Sequence, residues 1–387
     1  MVFDEPSYIA IARGLLKGNL APLQIDSSIG RQHPPLGSCL IAAGMKLAGD
    51  NPVGWRLASV VAGAITVVGI FLWVWVLIQD FRLALTAALL TLFNNFLYVM
   101  ARVAMLDVFV FAFAICGLLA FTAAVKSDLA VKWRRVLVMC SGVALGLAGA
   151  CKWNAVDTLA VVIAGALGLY RLGHSPSAKW NQRHSSLARS AHAVGLPWLL
   201  IGLVVLPGLV YFCTFLPLFG ATHTAFSFQE FARMHAVMFR MTKNFSGNPA
   251  LYSAWYKWPF RASPLRGFSY LMGNWVVMWG GLIALAVLLW RLRREADISA
   301  IMLLLLYAAN WLQWAITPLK VPHYYYYYSA AMFLGPAIGV SLIRSPRVLG
   351  MRMSLVAVVA AVVFFMYCYP RMAYLPPPWD CMFGCWD

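Results

Sequence analysis

Residues 107–135, DVFVFAFAICGLLAFTAAVKSDLAVKWRR, decide the fold class. Asp107 is followed by 108–125, a run without a single charge, and then by Lys126, Lys132, Arg134 and Arg135. A helix of that length crosses a hydrocarbon core about 30 Å thick while satisfying its own backbone. The basic connection after it holds that end of the span in the cytoplasm. The pattern recurs through all 387 residues, which are 62% hydrophobic and only 11% charged, with a mean hydropathy of +0.75. A soluble domain needs about a quarter charged residues, so an all-α polytopic membrane protein is expected.

Apolar runs set against charged breaks give about ten spans: 56–78, 83–101, 107–125, 136–151, 154–170, 195–217, 273–290, 298–316, 324–343 and 353–369. Three further connections are basic: Arg171, Lys179, Arg183 and Arg189 in one; Arg291, Arg293 and Arg294 in the next; Arg344, Arg347 and Arg352 in the last. With ten spans all four fall on one side, which the positive-inside rule makes cytoplasmic. The expected organisation is then an external first loop with an acidic motif and short amphipathic helices (1–55) and an N-terminal transmembrane catalytic core (56–217). An external loop (218–272), the C-terminal helices (273–369) and an external tail (370–387) follow. An external N-terminus at Met1 has no span before it. That predicts either a preceding helix outside this chain, through a start placed too late or a fragment, or unaided translocation.

The formal charge of +17 belongs to topology rather than to nucleic acid, because a multispanning chain offers no continuous basic face. Most of the eight cysteines lie in or beside apolar runs and read as small hydrophobes. Cys381 and Cys385 are close enough to invite a disulfide in an oxidising compartment.

The external face collects the unusual polar residues. Asp4 and Glu5, before Pro6, either cap a short helix or supply a base for a hydroxyl acceptor. His33 sits in a stiff His-Pro-Pro turn and reads as a structural group or a ligand. Arg102 and Asp107 flank a span entry. Asp107 suits the positive end of a helix dipole, while Arg102 pairs with it or grips a phosphate. Lys152 and Asp157 read as a buried pair or as substrate contacts. Lys320 and His323 precede five tyrosines, which suggest an interfacial aromatic belt, and both can meet a lipid phosphate. No cluster of outward acids has metal-ligand spacing, which leaves a divalent metal undecided.

In order, VFDEPSYIAIARGLLKG, HPPLGSCLIAAGMKLAGDNPVGWRL, ARVAMLDVFVFAF, CKWNAV, GNWVVMWGG and VPHYYYYYSAAMFLGPAIG resemble the protein O-mannosyltransferases. These belong to the wider C superfamily of glycosyltransferases that use polyprenyl-phosphate sugars. The resemblance implies inverting transfer of a sugar, typically mannose, to a Ser or Thr hydroxyl of a protein acceptor on the extracytoplasmic face of a bacterial plasma membrane. It implies Asp4 as base or acceptor-orienting acid, Glu5 in support, and Asp107 and Arg102 lining the same cavity, with Arg102 near the donor phosphate. His33 would shape the loop. Ser38 stands where the family often has Lys. Two other readings compete. One is the same scaffold moving an aminoarabinose-like pentose to a lipid or glycan. The other is a secondary transporter, which should show two related halves with broken helices and mid-membrane charges, whereas the charges here collect at one face.

Overall fold

The computed structural model describes residues 4–18, 32–126, 128–174, 179–217, 226–244, 253–261, 271–294, 297–317 and 322–373. These residues are almost entirely helical, as a chain that must satisfy its backbone within lipid requires. Two short helices come first, α1 (Glu5–Leu16) and α2 (Leu36–Ala48). The membrane elements begin with α3 (Pro52–Ile78), α4 (Phe81–Leu92), α5 (Asn95–Met100), α6 (Leu106–Lys126), α7 (Val131–Cys151) and α8 (Trp153–His174). After α9 (Lys179–Val194) come α10 (Leu196–Cys213), α11 (Phe228–Asn244), α12 (Trp275–Leu292), α13 (Ile298–Ile316), α14 (Tyr324–Arg344) and α15 (Arg347–Met372).

Nine of the described helices are long and apolar enough to cross a membrane. The protein is an integral multi-pass membrane protein. The tenth expected span, 83–101, is made in two pieces, α4 and α5, with a break at Phe93 and Asn94. A break among buried residues frees backbone groups that lipid cannot satisfy. Asn94 caps α5 through its side chain, accepting the Phe96 N–H at 3.2 Å. From the start of α12, Asn274 donates to the carbonyls of Phe93 at 2.9 Å and Ala361 at 2.8 Å. The basic connection after α8 also departs from a plain loop, since much of it folds as α9.

Two helices form the core. Within their apolar windows α14 is 89% and α6 72% buried, against 22–44% for the other seven, which present broad apolar faces outward. α6 packs between α3 and α7, and α14 lies between α4 and α12. Small residues let the helices approach: a Cβ on Gly142 of α7 would lie 1.7 Å from the Gly202 carbonyl oxygen of α10. The five tyrosines at the head of α14 do not form an interfacial belt. Tyr324, Tyr325, Tyr327 and Tyr328 are fully buried, and Tyr325 and Tyr326 reach the polar cluster described next.

α1 is fastened at both ends. Glu5, completely buried, takes a bidentate pair from Arg56 of α3, Nε to Oε1 at 2.7 Å and Nη2 to Oε2 at 2.8 Å. It also accepts the Ala104 N–H at 3.1 Å, which fixes the loop between α5 and α6. At the other end Arg13 grips Asp50 at 2.7 and 3.0 Å. The turn there is tight because Gly49 adopts a positive φ of 88°.

Candidate active site

The site forms where α1, the α5–α6 loop, the α7–α8 junction and the head of α14 meet. Asp4 begins α1 but does not cap it through its side chain. Its backbone carbonyl receives the Ser7 and Tyr8 N–H groups at 3.0 and 3.2 Å. The carboxylate instead accepts the Tyr325 hydroxyl at 2.7 Å. Asp4 is half-buried and forms no ion pair among the described residues. Its neighbour Glu5 points the other way, into the Arg56 latch, and therefore positions α1 rather than facing the cluster.

Lys152 ends α7 in an extended conformation, and its ammonium reaches both carboxylate oxygens of Asp107 at 2.8 and 2.9 Å. Both residues are buried, so the pair is a desolvated one in which each charge needs the other. The expected alternatives are corrected: Lys152 does not pair with Asp157, and Arg102 does not pair with Asp107. Asp157 faces Gln313 of α13. Arg102 is exposed and donates to the Tyr98 hydroxyl at 2.6 Å and the Met372 carbonyl at 3.4 Å. Arg102 and Asp107 thus stand on opposite ends of the loop that Glu5 clamps.

Aromatic rings join the two halves of the cluster. The Lys152 ammonium lies 4.7 Å from the ring centre of Tyr326 and 5.9 Å from that of Tyr325, a cation–π arrangement. His323, buried, stacks on Tyr325 at 5.3 Å. His33 is half-buried beside Tyr8, with ring centres 6.2 Å apart. Desolvation first, and then the positive charge of Lys152, hold the imidazole well below the ordinary histidine range. Tyr8 is shifted the other way: burial, then the charges of Asp4, Asp107 and Tyr326, keep its phenol protonated.

Of the residues singled out by sequence, the structure brings together Asp4, His33, Asp107, Lys152 and His323. Glu5 anchors the frame and Arg102 stands aside on Tyr98. Lys320, Cys381 and Cys385 lie outside the described residues. Three contributors escaped sequence reasoning. Arg56 reads as an ordinary charge at a span boundary, and Tyr325 and Tyr326 are hidden in a run of identical residues. The usable signal was that five consecutive tyrosines exceed what an interface needs. Ser38 is buried in α2. No group of three metal-ligating side chains converges among the described residues.

The cluster brings together a half-buried carboxylate, a buried lysine–aspartate pair and buried phenol hydroxyls. A model of the dolichyl-phosphate-mannose-protein mannosyltransferase family matches residues 32–201. A polyprenol-phosphate-mannose–protein mannosyltransferase of Mycobacterium tuberculosis is 24% identical, over 97% of this chain and 83% of its own length. The chain is a membrane glycosyltransferase similar to the protein O-mannosyltransferases. A Mycolicibacterium smegmatis relative of the same description is 27% identical to the glycosyltransferase over 60% of the chain and 47% of its own length. Among solved structures, the Saccharomyces cerevisiae protein O-mannosyltransferase Pmt1-Pmt2 complex bound to the sugar donor superposes with a TM-score of 0.77. That match is 14% identical over 97% of this chain and 87% of the other. ArnT of Cupriavidus metallidurans bound to undecaprenyl phosphate superposes at 0.62, 18% identical over 97% and 62%. Both show that the glycosyltransferase shares their fold.

Proposed function

We propose that the enzyme transfers mannose, with inversion, from a polyprenyl-phosphate donor to a Ser or Thr hydroxyl of a protein on the extracytoplasmic face of a bacterial plasma membrane. The observation that carries this reading is Asp4, a half-buried carboxylate that does not cap its helix through its side chain and joins no ion pair among the described residues, held at 2.7 Å by Tyr325 beside a buried lysine. In the proposed step Asp4 takes the proton of the acceptor hydroxyl. The acceptor oxygen forms a bond to the sugar's C1 as the C1–O bond to the phosphate breaks, and the electron pair leaves with the lipid phosphate. A phosphate leaving group needs cationic stabilisation more than a proton. Lys152 supplies it, because an ammonium has three donors and Asp107 occupies two. Arg102, exposed at the same face, is the second candidate for the donor phosphate.

Membranes containing the enzyme, supplied with labelled polyprenyl-phosphate mannose and a Ser/Thr-rich acceptor peptide, should label the peptide. Label appearing in a lipid product instead, and only from a pentose donor, would replace this reading with the aminoarabinose-like one. No transfer from any polyprenyl-phosphate sugar would defeat both.

A further inference from the structure

At the other face of the bundle, about 28 Å along α6 from Asp107 at the helical rise per residue, α8 and α13 separate around a cavity of about 260 Å³. The same two helices are joined at the cluster end, where Asn310 donates to the Thr158 hydroxyl at 3.2 Å. They splay towards Leu172 and Ile298, with Phe121 and Val125 of α6 lining the space between them. The gap exists because α8 carries Gly165 and Gly168, which share a helix face. A Cβ at either would meet nothing within 4 Å. The lining is otherwise almost wholly apolar, and the exception that carries charge is Lys126 at the end of α6. Its ammonium donates to the Leu77 carbonyl. Nearby Asp297 is committed to capping α13 and to Arg344 at 3.9 Å.

We propose that this groove binds an anionic phospholipid of the leaflet opposite the catalytic cluster, with an acyl chain against Gly165 and Gly168 and the phosphate at Lys126. An apolar cavity of about 150 Å³ already admits benzene, so this larger one takes a chain segment of several methylenes. A donor spent on Leu77 leaves the ammonium two more, and a phosphate suits a point charge on a flexible stem. Exposed Arg171, next in sequence to the lining residue Leu172, adds to the positive field that selects an anionic head group. The site rests on the membrane-spanning fold and is independent of which sugar the enzyme transfers.

The test uses the full chain in nanodiscs containing phosphatidylglycerol with a mid-chain diazirine. Photolysis should label peptides 161–172 and 298–305, and unlabelled phosphatidylglycerol should compete better than phosphatidylcholine. Gly168→Leu should reduce the labelling about tenfold without lowering the melting temperature, because its side chain enters open space. Lys126→Gln should keep chain labelling and lose the head-group preference. Absence of label at these peptides, equal labelling of Gly168→Leu, or an unchanged preference in Lys126→Gln would overturn the proposal. So would displacement of the label by polyprenyl phosphate in preference to phosphatidylglycerol, which would make the groove a seat for the donor's tail. The competition in the unsubstituted enzyme decides the matter even where a variant does not fold.

Discussion

Replacing Glu5 by Gln leaves the Arg56 guanidinium, 29% exposed, against a neutral amide. Breaking a fully buried pair from one side costs about 3–5 kcal/mol, and the partial exposure of Arg56 sets the expected loss below that range. Glu5→Gln should therefore melt well below the unsubstituted enzyme in detergent, and the Glu5→Leu/Arg56→Met double variant should recover much of that loss. Equal melting of Glu5→Gln and the parent would remove Glu5 from its positioning role. Asp4→Asn should behave in the opposite sense. Its fold should persist, because Tyr325 can still donate to the amide oxygen, while turnover falls about 10²–10⁴-fold as expected for a lost base. An Asp4→Asn enzyme with undiminished transfer would sink the assignment. His33 adds a pH dependence. Its folded pKa lies below the ordinary value, so the neutral form is the one the fold favours. The stability it contributes is complete above about pH 6.5 and is lost as pH falls below that value, where the unfolded chain takes up the proton. Melting temperatures measured from pH 8 to 5 should fall less steeply for His33→Gln than for the parent.

At the scale of elements, the helices around the site are held by a few side chains that act across long sequence distances. α11 is strongly amphipathic and lies against α10. Its His235 donates from Nδ1 to the Phe231 carbonyl at 2.7 Å, so Nε2 accepts the Tyr211 hydroxyl at 2.7 Å. Tyr211 in turn accepts the Trp153 indole N–H at 3.0 Å. Trp153 is the neighbour of Lys152, which makes α11 an external brace on the α7–α8 junction. His235→Ala should expose α11 to trypsin at Arg233 and Arg240 earlier than in the parent, and protection unchanged by the substitution would refute the brace. The α7–α10 approach at Gly142 is a different kind of device, a missing side chain that admits backbone. Gly142→Val should lower the melting temperature or abolish accumulation, since no rotamer avoids a Cβ contact of 1.7 Å.

For the whole molecule, the proposed orientation sets the Asp4–Lys152 cluster outside and the basic connections inside. In a cysteine-free background, Lys17→Cys should react with an impermeant maleimide on intact cells, and Asp128→Cys only after lysis. The reverse pattern would invert the protein in the membrane and move the chemistry to the cytoplasm. The distribution of burial agrees with a bundle whose two inner helices line the proposed site and whose other spans present apolar faces outward. α6 supplies Asp107 and α14 supplies Tyr325 and Tyr326, and these two spans are the most enclosed.

The sequence by itself determined what depends on local composition. Uncharged runs such as 108–125 must become helices in lipid, because no other conformation satisfies their backbone, and short basic connections must gather on one side. Those connections set Asp4, Glu5, His33, Arg102, Asp107, Lys152, Asp157, Lys320 and His323 on one face, and the resemblance implied that Asp4, Glu5, Arg102 and Asp107 line one cavity. Tertiary structure decided the partners. A buried carboxylate is compatible with any cation that reaches it, so nothing local says that Glu5 meets Arg56, that Lys152 meets Asp107, or that Arg102 meets neither acid. The break between α4 and α5 was equally beyond local reading, because the carbonyl it frees at Phe93 is met by Asn274, 181 residues downstream. Asp4 and Glu5 are adjacent and chemically alike. Only the side-chain bonds to Arg56 of α3 and Tyr325 of α14 make one a structural latch and leave the other facing the cluster.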